Sequence, residues 1–158
     1  MIKTIDVKSG ETDGLYQYLS AAVTPRPIAF VSTIDANGNK NLSPFSFFNV
    51  FSINPPILIF SPVRRVRNNT SKHTLDNVRQ IKECVISLVT EEIGQQVSLS
   101  SCDFEAKTNE FEKAGFTEVK SDLITPSRIK ESPINFECKV TDIITLGDKG
   151  GAGSLVLC

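Results

Sequence analysis

The chain has 158 residues, 40% of them hydrophobic and 22% charged, with a formal net charge of −1. This length suffices for one domain with its own core, and the near-neutral charge gives no field that would attract nucleic acid or an anionic membrane. No apolar run reaches the ~18 residues of a membrane-spanning helix, and the N-terminus has no secretory signal. We therefore expect a single cytoplasmic domain over residues 1–158, with neither nucleic acid nor membrane as a partner.

The N-terminal part of the chain predicts a helix followed by a hairpin. Four residues between positions 14 and 23 recur at helical spacing, so we expect a helix that packs by this face: Leu15, Tyr18, Leu19 and Ala22. Arg26-Pro27 ends this region, because proline disfavours helical geometry at the preceding residue. Residues 28–34 are β-branched and apolar, and Asn37-Gly38 is a turn signal. Residues 28–34 and roughly 40–50 are therefore predicted to form a hairpin.

The run NLSPFSFFN, residues 41–49, mixes three phenylalanines with two serines and two asparagines. A strand that only fills a core does not need the polar groups, and a surface loop does not need the rings. Strand alternation would place Phe45 and Phe47 on one face and Phe48 on the other. We expect at least one of these rings to pack in the core.

The middle of the chain predicts a strand, a basic loop and a helix. Asn54-Pro55-Pro56 marks a turn, and residues 57–61 are strand-like. The polar loop 62–71 carries Arg64, Arg65 and Arg67, for which one bound phosphate is the most economical use. After Lys72, three apolar residues follow helical spacing, with Ser71 or Thr74 as the expected N-cap: Leu75, Val78 and Ile81.

The C-terminal part predicts further strands with intervening helices. Residues 84–90, 131–147 and 154–158 are strand-like, and residues 91–101 and 107–114 are helical in pattern. There is no regular β-α-β alternation and no glycine-rich nucleotide-binding motif. The expected fold is therefore mainly β with peripheral helices, an antiparallel barrel that carries the helices on its outside.

The sequence offers little support for a metal site or for catalysis by side chains. Four cysteines lie far apart without a CxxC pair and are expected to be free buried thiols: Cys84, Cys102, Cys138 and Cys158. The single histidine, His73, sits in a polar segment outside any nucleophile pattern. The acidic pairs Asp103/Glu105 and Glu110/Glu112 are interpreted as solvated. We predict neither a metal ligand nor a catalytic residue, which leaves a cofactor as the source of the reactive atoms.

A flavin would meet this requirement. Hydride chemistry on a flavin needs orientation, hydrogen bonds to the ring edge and a place for the phosphate, but no acid or nucleophile from the protein. An isoalloxazine has a polar edge and an apolar end. The mixture of rings, hydroxyls and amides in residues 41–49 matches such a ligand.

Five ordered blocks resemble the flavin reductase-like family of FMN-binding split barrels, which includes flavoredoxins and the reductase components of two-component flavin monooxygenases. The blocks are RPIAFVSTIDANGNKNLSPFSFFN, NPPILIFSP, SKHTLDN, DFEAKTNEFEKAGFT and ESPINFECKV. The resemblance extends over residues 14–147. It implies a split antiparallel β-barrel, a homodimer, and hydride transfer from NADH or NADPH to FMN, with FAD as an alternative. Reduced flavin or electrons would pass to a flavin-dependent monooxygenase or another acceptor.

The resemblance also implies a set of flavin-binding residues. Ser32 and Thr33 would lie beside the ring at the end of the first strand. The ring and ribityl chain would be contacted by groups of Asn41, Leu42, Ser43 and Ser46. The phosphate would be held by Ser61, Arg67, Lys72 and Thr74. A helix that begins near residues 72–74 would favour an anion there, because its first N–H groups have no intrahelical partner. His73 replaces an aspartate of the family motif, and we expect its role to be minor.

The resemblance carries a second departure and two rival interpretations. Family members continue beyond the equivalent of SLVLC, so we expect a C-terminally truncated domain in which flavin binding survives better than turnover. One rival is a flavin-binding electron carrier or sensor without reductase activity. The other is a truncated structural relic that dimerises but binds no flavin.

Overall fold

The computed structural model describes residues 4–7, 14–102, 104 and 108–158. The helices in this part of the chain are α1 (Leu15–Ala22), α2 (His73–Ile81), α3 (Gly94–Ser100) and α4 (Glu110–Ala114). The first strands are β1 (Ala29–Ile34), β2 (Lys40–Phe45), β3 (Phe48–Ile53), β4 (Pro56–Phe60) and β5 (Glu83–Leu88). The later strands are β6 (Glu118–Val119), β7 (Arg128–Ile129), β8 (Asn135–Lys139), β9 (Asp142–Thr145) and β10 (Ser154–Leu157).

The first sheet is antiparallel with the strand order β2-β1-β5-β8. Its β1–β2 hairpin confirms the prediction from the apolar run and the Asn-Gly turn. The side chain of Asp35 accepts hydrogen bonds from the N–H groups of Asn37 and Asn39, both at 2.8 Å. Gly38 has a φ of 85°, a backbone conformation that glycine adopts without strain.

The second sheet is antiparallel with the strand order β3-β4-β10-β9. The chain passes from the first sheet to the second twice. Ser46 and Phe47 join β2 to β3, and Val140 and Thr141 join β8 to β9. Two antiparallel sheets with helices around them confirm the mainly β architecture expected from the sequence.

The main core lies between the two sheets and under α2. It contains Val31 and Ile86 from the first sheet, Phe60 and Val156 from the second, and Leu75 from α2. A second cluster covers the opposite face of the first sheet, where Phe30 packs with residues from α3 and α4. Strands β1 and β5 at the centre of the first sheet are therefore buried on both faces, whereas Phe136 on β8 is 38% exposed. This explains why β1 has apolar residues at the consecutive positions Ala29, Phe30 and Val31 rather than at alternate ones.

The prediction that α1 packs by one face is wrong for the described residues. The helix forms at the predicted place, but none of its residues is buried. Leu19 and Tyr18, which should lie on the packed face, are 53% and 44% exposed. The spacing gave the helix correctly, whereas its packing depends on tertiary contacts that a helical pattern does not specify.

The predicted N-cap of α2 is also wrong. The N-cap is Lys72, whose side chain makes no cap hydrogen bond. Ser71 donates its hydroxyl to the carboxylate of Asp76 instead, at 2.6 and 2.8 Å. Thr74 lies inside the helix, where its hydroxyl accepts a hydrogen bond from Asn41. The helix therefore begins with N–H groups that no side-chain cap satisfies.

Other element boundaries differ from the predictions. Residues 131–147 form β8 and β9, because the N–H groups of Val140 and Thr141 turn away to the carbonyls of Lys82 and Leu157. The predicted helices 91–101 and 107–114 are shorter, and residue 107 lies outside the described residues. All four cysteines are free, but Cys102 is exposed, so its predicted burial is wrong.

Candidate functional site

A cavity of about 200 Å³ opens where the chain leaves β2 for β3. It therefore lies beside the first crossing between the two sheets. Its wall combines hydroxyl, amide, aromatic, basic and carboxyl groups. The lining residues are Tyr16, Asn41, Ser43, Pro44, Phe45, Ser46, Phe47, Ser61, Val63, Arg65, Lys72, His73, Ser101, Cys102, Phe104 and Glu110.

Aromatic rings form the apolar side of the cavity. Tyr16 on α1 and Phe47 at the crossing lie with their ring centroids 6.4 Å apart and their planes tilted by 56°. The guanidinium of Arg26 lies 6.0 Å from the centroid of Phe47, within the range of a cation–π contact. Phe45 points further inward and packs with Phe60 in the core. The chain bends after Phe45, so the expected alternation of the phenylalanines does not continue through residues 46–48.

Strand β2 presents the polar side of the cavity. Asn41, Ser43 and Phe45 are two residues apart and therefore share one face of the strand. The amide Nδ2 of Asn41 donates to the hydroxyl of Thr74 at 2.8 Å, and both residues are buried. This bond ties the strand to the first turn of α2.

A second buried bond fixes α2 against the first sheet. Nδ2 of Asn77 donates to the hydroxyl of Thr33 at 3.1 Å, one helical turn after the contact of Thr74 with Asn41. Both contacts lie in a low-dielectric interior, where an unsatisfied polar group would be costly. The start of α2 is therefore held at a defined place beside the cavity.

Three basic residues gather at one end of the cavity: Arg65, Lys72 and His73. The loop that carries Arg65 closes through hydrogen bonds from its N–H to the carbonyl of Thr70 and from its guanidinium to the carbonyl of Ser71. The hairpin between β9 and β10 supports the same loop, since the N–H of Arg64 donates to the carbonyl of Ala152 at 2.9 Å. This end of the cavity thus has basic side chains on a braced loop.

Gly153 allows this hairpin to approach the cavity wall. A Cβ atom at this position would lie 2.6 Å from the hydroxyl oxygen of Ser61, closer than real Cβ contacts. Ser61 itself lines the cavity. The glycine is therefore needed for its lack of a side chain rather than for an unusual backbone conformation.

Glu110 places a carboxyl in the cavity wall, which overturns its interpretation as a solvated residue. Glu110 is only 5% exposed, whereas Glu112 on the same helix is exposed as expected. Burial raises the pKa of the Glu110 carboxyl. Asp103 and Glu105, which had the same interpretation, lie outside the described residues.

Comparison with known proteins gives the family. The family model "Flavin reductase like domain" matches residues 21–151. The chain belongs to this family. Membership implies a flavin cofactor, and the cavity of this flavin reductase-like domain fits one, because aromatic surface, hydroxyls and a basic end meet in the same wall.

Solved structures agree with this assignment, and a curated relative matches most of the chain. The chain is 42% identical over 142 residues to an uncharacterised protein of Aquifex aeolicus, covering 90% of this chain and 72% of that protein. Nitrilotriacetate monooxygenase component B from Bacillus cereus superposes with a TM-score of 0.91 at 26% identity, covering 99% of this chain and 78% of that one. The 2-nitrobenzoate 2-nitroreductase NbaA from Pseudomonas fluorescens superposes with a TM-score of 0.82 at 30% identity, covering 98% and 72%.

These likenesses confirm the split barrel of the flavin reductases as the fold of this domain. The chain spans between 57% and 72% of the length of five curated relatives that it matches.

In the described ranges no helix is long and apolar enough to cross a membrane. The same ranges contain no group of three or more residues suited to hold a metal ion.

The structure brings half of the predicted site residues to the cavity wall: Asn41, Ser43, Ser46, Ser61 and Lys72. The others lie elsewhere. Thr33 and Thr74 are buried behind the wall, where they accept the bonds that position α2. Ser32 and Leu42 are paired neighbours in the first sheet and are also buried. Arg67 is exposed and does not line the cavity. Their assignments as flavin contacts stay predictions.

Several lining residues were missed because tertiary structure alone brings them together. Tyr16 comes from α1, whereas Ser101, Cys102 and Phe104 follow α3. His73, expected to have a minor role, lies in the wall between the start of α2 and the basic loop. For Arg65 there was a signal, since the arginine-rich loop already indicated a phosphate. The signal did not distinguish Arg65 from Arg67.

Proposed function

We propose that this flavin reductase-like domain binds FMN in the cavity and acts as an NAD(P)H:flavin oxidoreductase. The observation that carries the proposal is the cavity itself, in which an aromatic side, a hydroxyl-bearing strand and a basic end lie next to one another. These are the surfaces that an isoalloxazine ring with a phosphate-bearing side chain requires. A single basic end suits the terminal phosphate of FMN, with FAD as the alternative ligand.

The phosphate would lie at the start of α2. Lys72 and His73 line the cavity there, and Arg65 faces them from the basic loop. The side chain of Lys72, the N-cap residue, makes no cap, and the N–H groups of His73 and Thr74 have no partner among the described residues, so these two are available to an anion. N–H groups and basic side chains that converge on one point are the usual means of holding a phosphate.

The ring would lie along β2 and the crossing. Ser43, Ser46 and the backbone around them would bond its polar edge, while Tyr16 and Phe47 would cover its apolar part. The flavin, when bound, would accept a hydride from NADH or NADPH. The chain's own contribution is to orient the ring, to bond its edge and to hold the phosphate, which needs no catalytic side chain.

The functional unit would be a homodimer. The cavity in one chain, about 200 Å³, is smaller than the ~300–1,000 Å³ of typical ligand sites, so one chain encloses only part of a flavin. Next to it lies a second groove lined by Val23, Phe48 and Phe51, which shares Phe47 and Ser61 with the first cavity. An exposed apolar surface beside a partly enclosed site favours a second copy that covers both.

The reduced flavin, or its electrons, would pass to another protein. The similarity to nitrilotriacetate monooxygenase component B favours a flavin-dependent monooxygenase as the acceptor. An open cavity fits this role because a diffusing flavin must be able to leave the site.

Two measurements test the proposal. Purified protein titrated with FMN should bind it and show the visible absorption of a flavoprotein, and the complex should then oxidise NADH or NADPH in air. Failure to bind FMN or FAD would overturn flavin binding and reductase function together. Flavin binding without oxidation of either nucleotide would overturn the reductase and identify a flavin-binding electron carrier or sensor.

A further inference from the structure

The buried carboxyl of Glu110 is a part of the cavity wall that the proposed flavin contacts leave without a role. Glu110 is the first residue of α4, and the side chain of Asn109 caps the helix by accepting from the N–H of Phe111 at 3.1 Å. Phe111 is anchored in the core with Phe30. The helix is therefore held so that the carboxyl of Glu110 lies against β2 and the cavity.

One carboxyl oxygen of Glu110 bonds the strand that lines the cavity. Its Oε2 accepts from the N–H of Leu42 at 3.1 Å. Leu42 lies between Asn41 and Ser43, and β2 is an edge strand that pairs with β1 alone among the described strands. The N–H of Leu42 therefore points away from β1 at the edge of the sheet, where the carboxyl of Glu110 accepts its hydrogen bond. No hydrogen bond joins the second oxygen, Oε1, to any residue in the described ranges.

The charged form of this carboxyl is poorly stabilised. Burial raises the pKa of Glu110, and the N–H groups of Glu110 and Leu42 only partly oppose this. No salt bridge to Glu110 occurs within the described residues. The neighbouring charges on its own elements are turned elsewhere, since Lys113 is exposed on α4 and Lys40 on β2 pairs with Glu118 at 2.6 Å. Glu110 lines the cavity, so a proton on Oε1 would make this residue a neutral donor in the cavity wall.

We propose that protonated Glu110 donates a hydrogen bond from Oε1 to an acceptor on the polar edge of the flavin ring, so that flavin binding is coupled to protonation of this residue. The inference rests on the proposed function and assigns Glu110 as a specificity-determining residue of that site. Apart from its N3–H, the polar edge of an oxidised flavin presents carbonyl oxygens and unprotonated ring nitrogens, which are all acceptors. A carboxylate oxygen at Oε1 would face these acceptors without a proton to donate. The bound ring would also displace the water that hydrates this oxygen.

The sign of the pH dependence follows from this arrangement. Binding favours the protonated carboxyl, so flavin affinity is highest at low pH and falls as the pH rises through the pKa of Glu110. A single coupled proton limits the fall to about tenfold in dissociation constant for each pH unit. Other charged or ionisable side chains line the same cavity from α2, the basic loop and the segment after α3: His73, Lys72, Arg65 and Cys102.

The test uses riboflavin and a variant that lacks the histidine. Riboflavin has no phosphate, whose second ionisation near pH ~6 would contribute its own pH dependence through the basic residues. His73→Gln removes the imidazole from the cavity wall. In this background, the dissociation constant is measured by quenching of riboflavin fluorescence between about pH 5 and pH 8.

Glu110→Gln is the informative substitution in that background. Glutamine can still accept from the N–H of Leu42, and its amide donates at every pH, so the riboflavin affinity should become independent of pH and stay within a few-fold of the low-pH value. Glu112→Gln, on the exposed side of the same helix, should keep the original slope. Overlapping pH profiles for Glu110→Gln and its parent would show that Glu110 only supports β2 and would overturn the inference.

A spectroscopic readout does not depend on folding of the variant. In wild-type protein with ¹³C-labelled glutamate side chains, the titration of the Glu110 carboxyl should move to higher pH when riboflavin is added. No movement would also overturn the inference. Absence of flavin binding at every pH would instead overturn the proposed function together with it, whereas binding that is independent of pH in the parent would overturn the inference alone.

Discussion

The two sheets of the barrel differ in how completely they are covered. In the first sheet, both faces of β1 are buried, and Phe30 and Val31 point in opposite directions with no exposed surface. In the second sheet, Phe60 and Val156 face the core, but Phe51 and Ile53 on β3 are 64% and 89% exposed. The centre of the first sheet is therefore covered on both faces, whereas the second sheet exposes apolar residues on its outer face.

This difference explains why the cavity lies at the crossing. Its polar wall comes from β2 of the covered sheet, where Asn41 is fixed by a buried hydrogen bond. Its apolar side comes from Phe47, beside the uncovered strand β3. A rigid polar wall can set the orientation of a ligand, while an apolar side that continues into an open surface can be completed by a second chain.

The largest expected effect is on the covered sheet. Phe30→Ala removes a fully buried ring that packs with Phe116 at a centroid distance of 5.1 Å, and should lower the free energy of unfolding by ~3–5 kcal/mol. Phe51→Ala is the matched control on the uncovered sheet. Chemical denaturation monitored by circular dichroism measures the free energy of unfolding. Phe51→Ala should lower that of a single chain far less than Phe30→Ala does. Equal losses would contradict the distinction between the two sheets.

A smaller loss is expected where α2 docks on the covered sheet. Asn77→Ala removes the donor to the hydroxyl of Thr33 and leaves a buried polar group without this partner, which should cost ~1–3 kcal/mol. Gln80 is exposed on the same helix, so Gln80→Ala is the control. Thermal unfolding of both variants measures the difference. If both variants unfold at the same temperature as the wild type, the hydrogen bond between Asn77 and Thr33 does not hold the helix on the sheet.

The uncovered sheet should show the opposite behaviour. Phe51→Glu should change the stability of one chain little, because surface substitutions stay within about ±0.5 kcal/mol. It should nevertheless dissociate the proposed homodimer by burying an uncompensated charge in the contact. Sedimentation velocity measures the mass of the assembly, with Leu123→Glu, also at an exposed apolar residue, as the control. A wild-type monomer, or a Phe51→Glu dimer, would contradict the proposed interface.

The sequence predicted the parts of the fold that depend on local patterns. The β1–β2 hairpin follows from an apolar run and an Asn-Gly turn, and α2 follows from helical spacing of Leu75 and Val78. The mixed run at 41–49 also pointed correctly to a surface that is both polar and apolar, since Ser43 and Phe47 line the cavity.

The remaining features depend on contacts between distant segments. The break between β8 and β9 occurs because the N–H groups of Val140 and Thr141 donate to the carbonyls of Lys82, at the end of α2, and of Leu157 in β10. The sequence indicates a surface position for Glu110, and only the packing of α4 against β2 buries this residue. No periodic pattern carries either kind of information. The same holds for α1, whose apolar face has no buried residue within the chain that the structure describes.

The most direct test of flavin binding in this cavity compares FMN with riboflavin. Lys72→Ala should weaken FMN by at least about tenfold, since a charge-assisted bond to phosphate contributes ~1.5–3 kcal/mol, and should leave riboflavin nearly unchanged. Lys82→Ala, an exposed lysine at the opposite end of α2, should affect neither ligand. Isothermal titration of the three proteins with both ligands provides the measurement. Equal losses of FMN and riboflavin affinity in Lys72→Ala would contradict a phosphate at the start of α2 and the flavin orientation built on it.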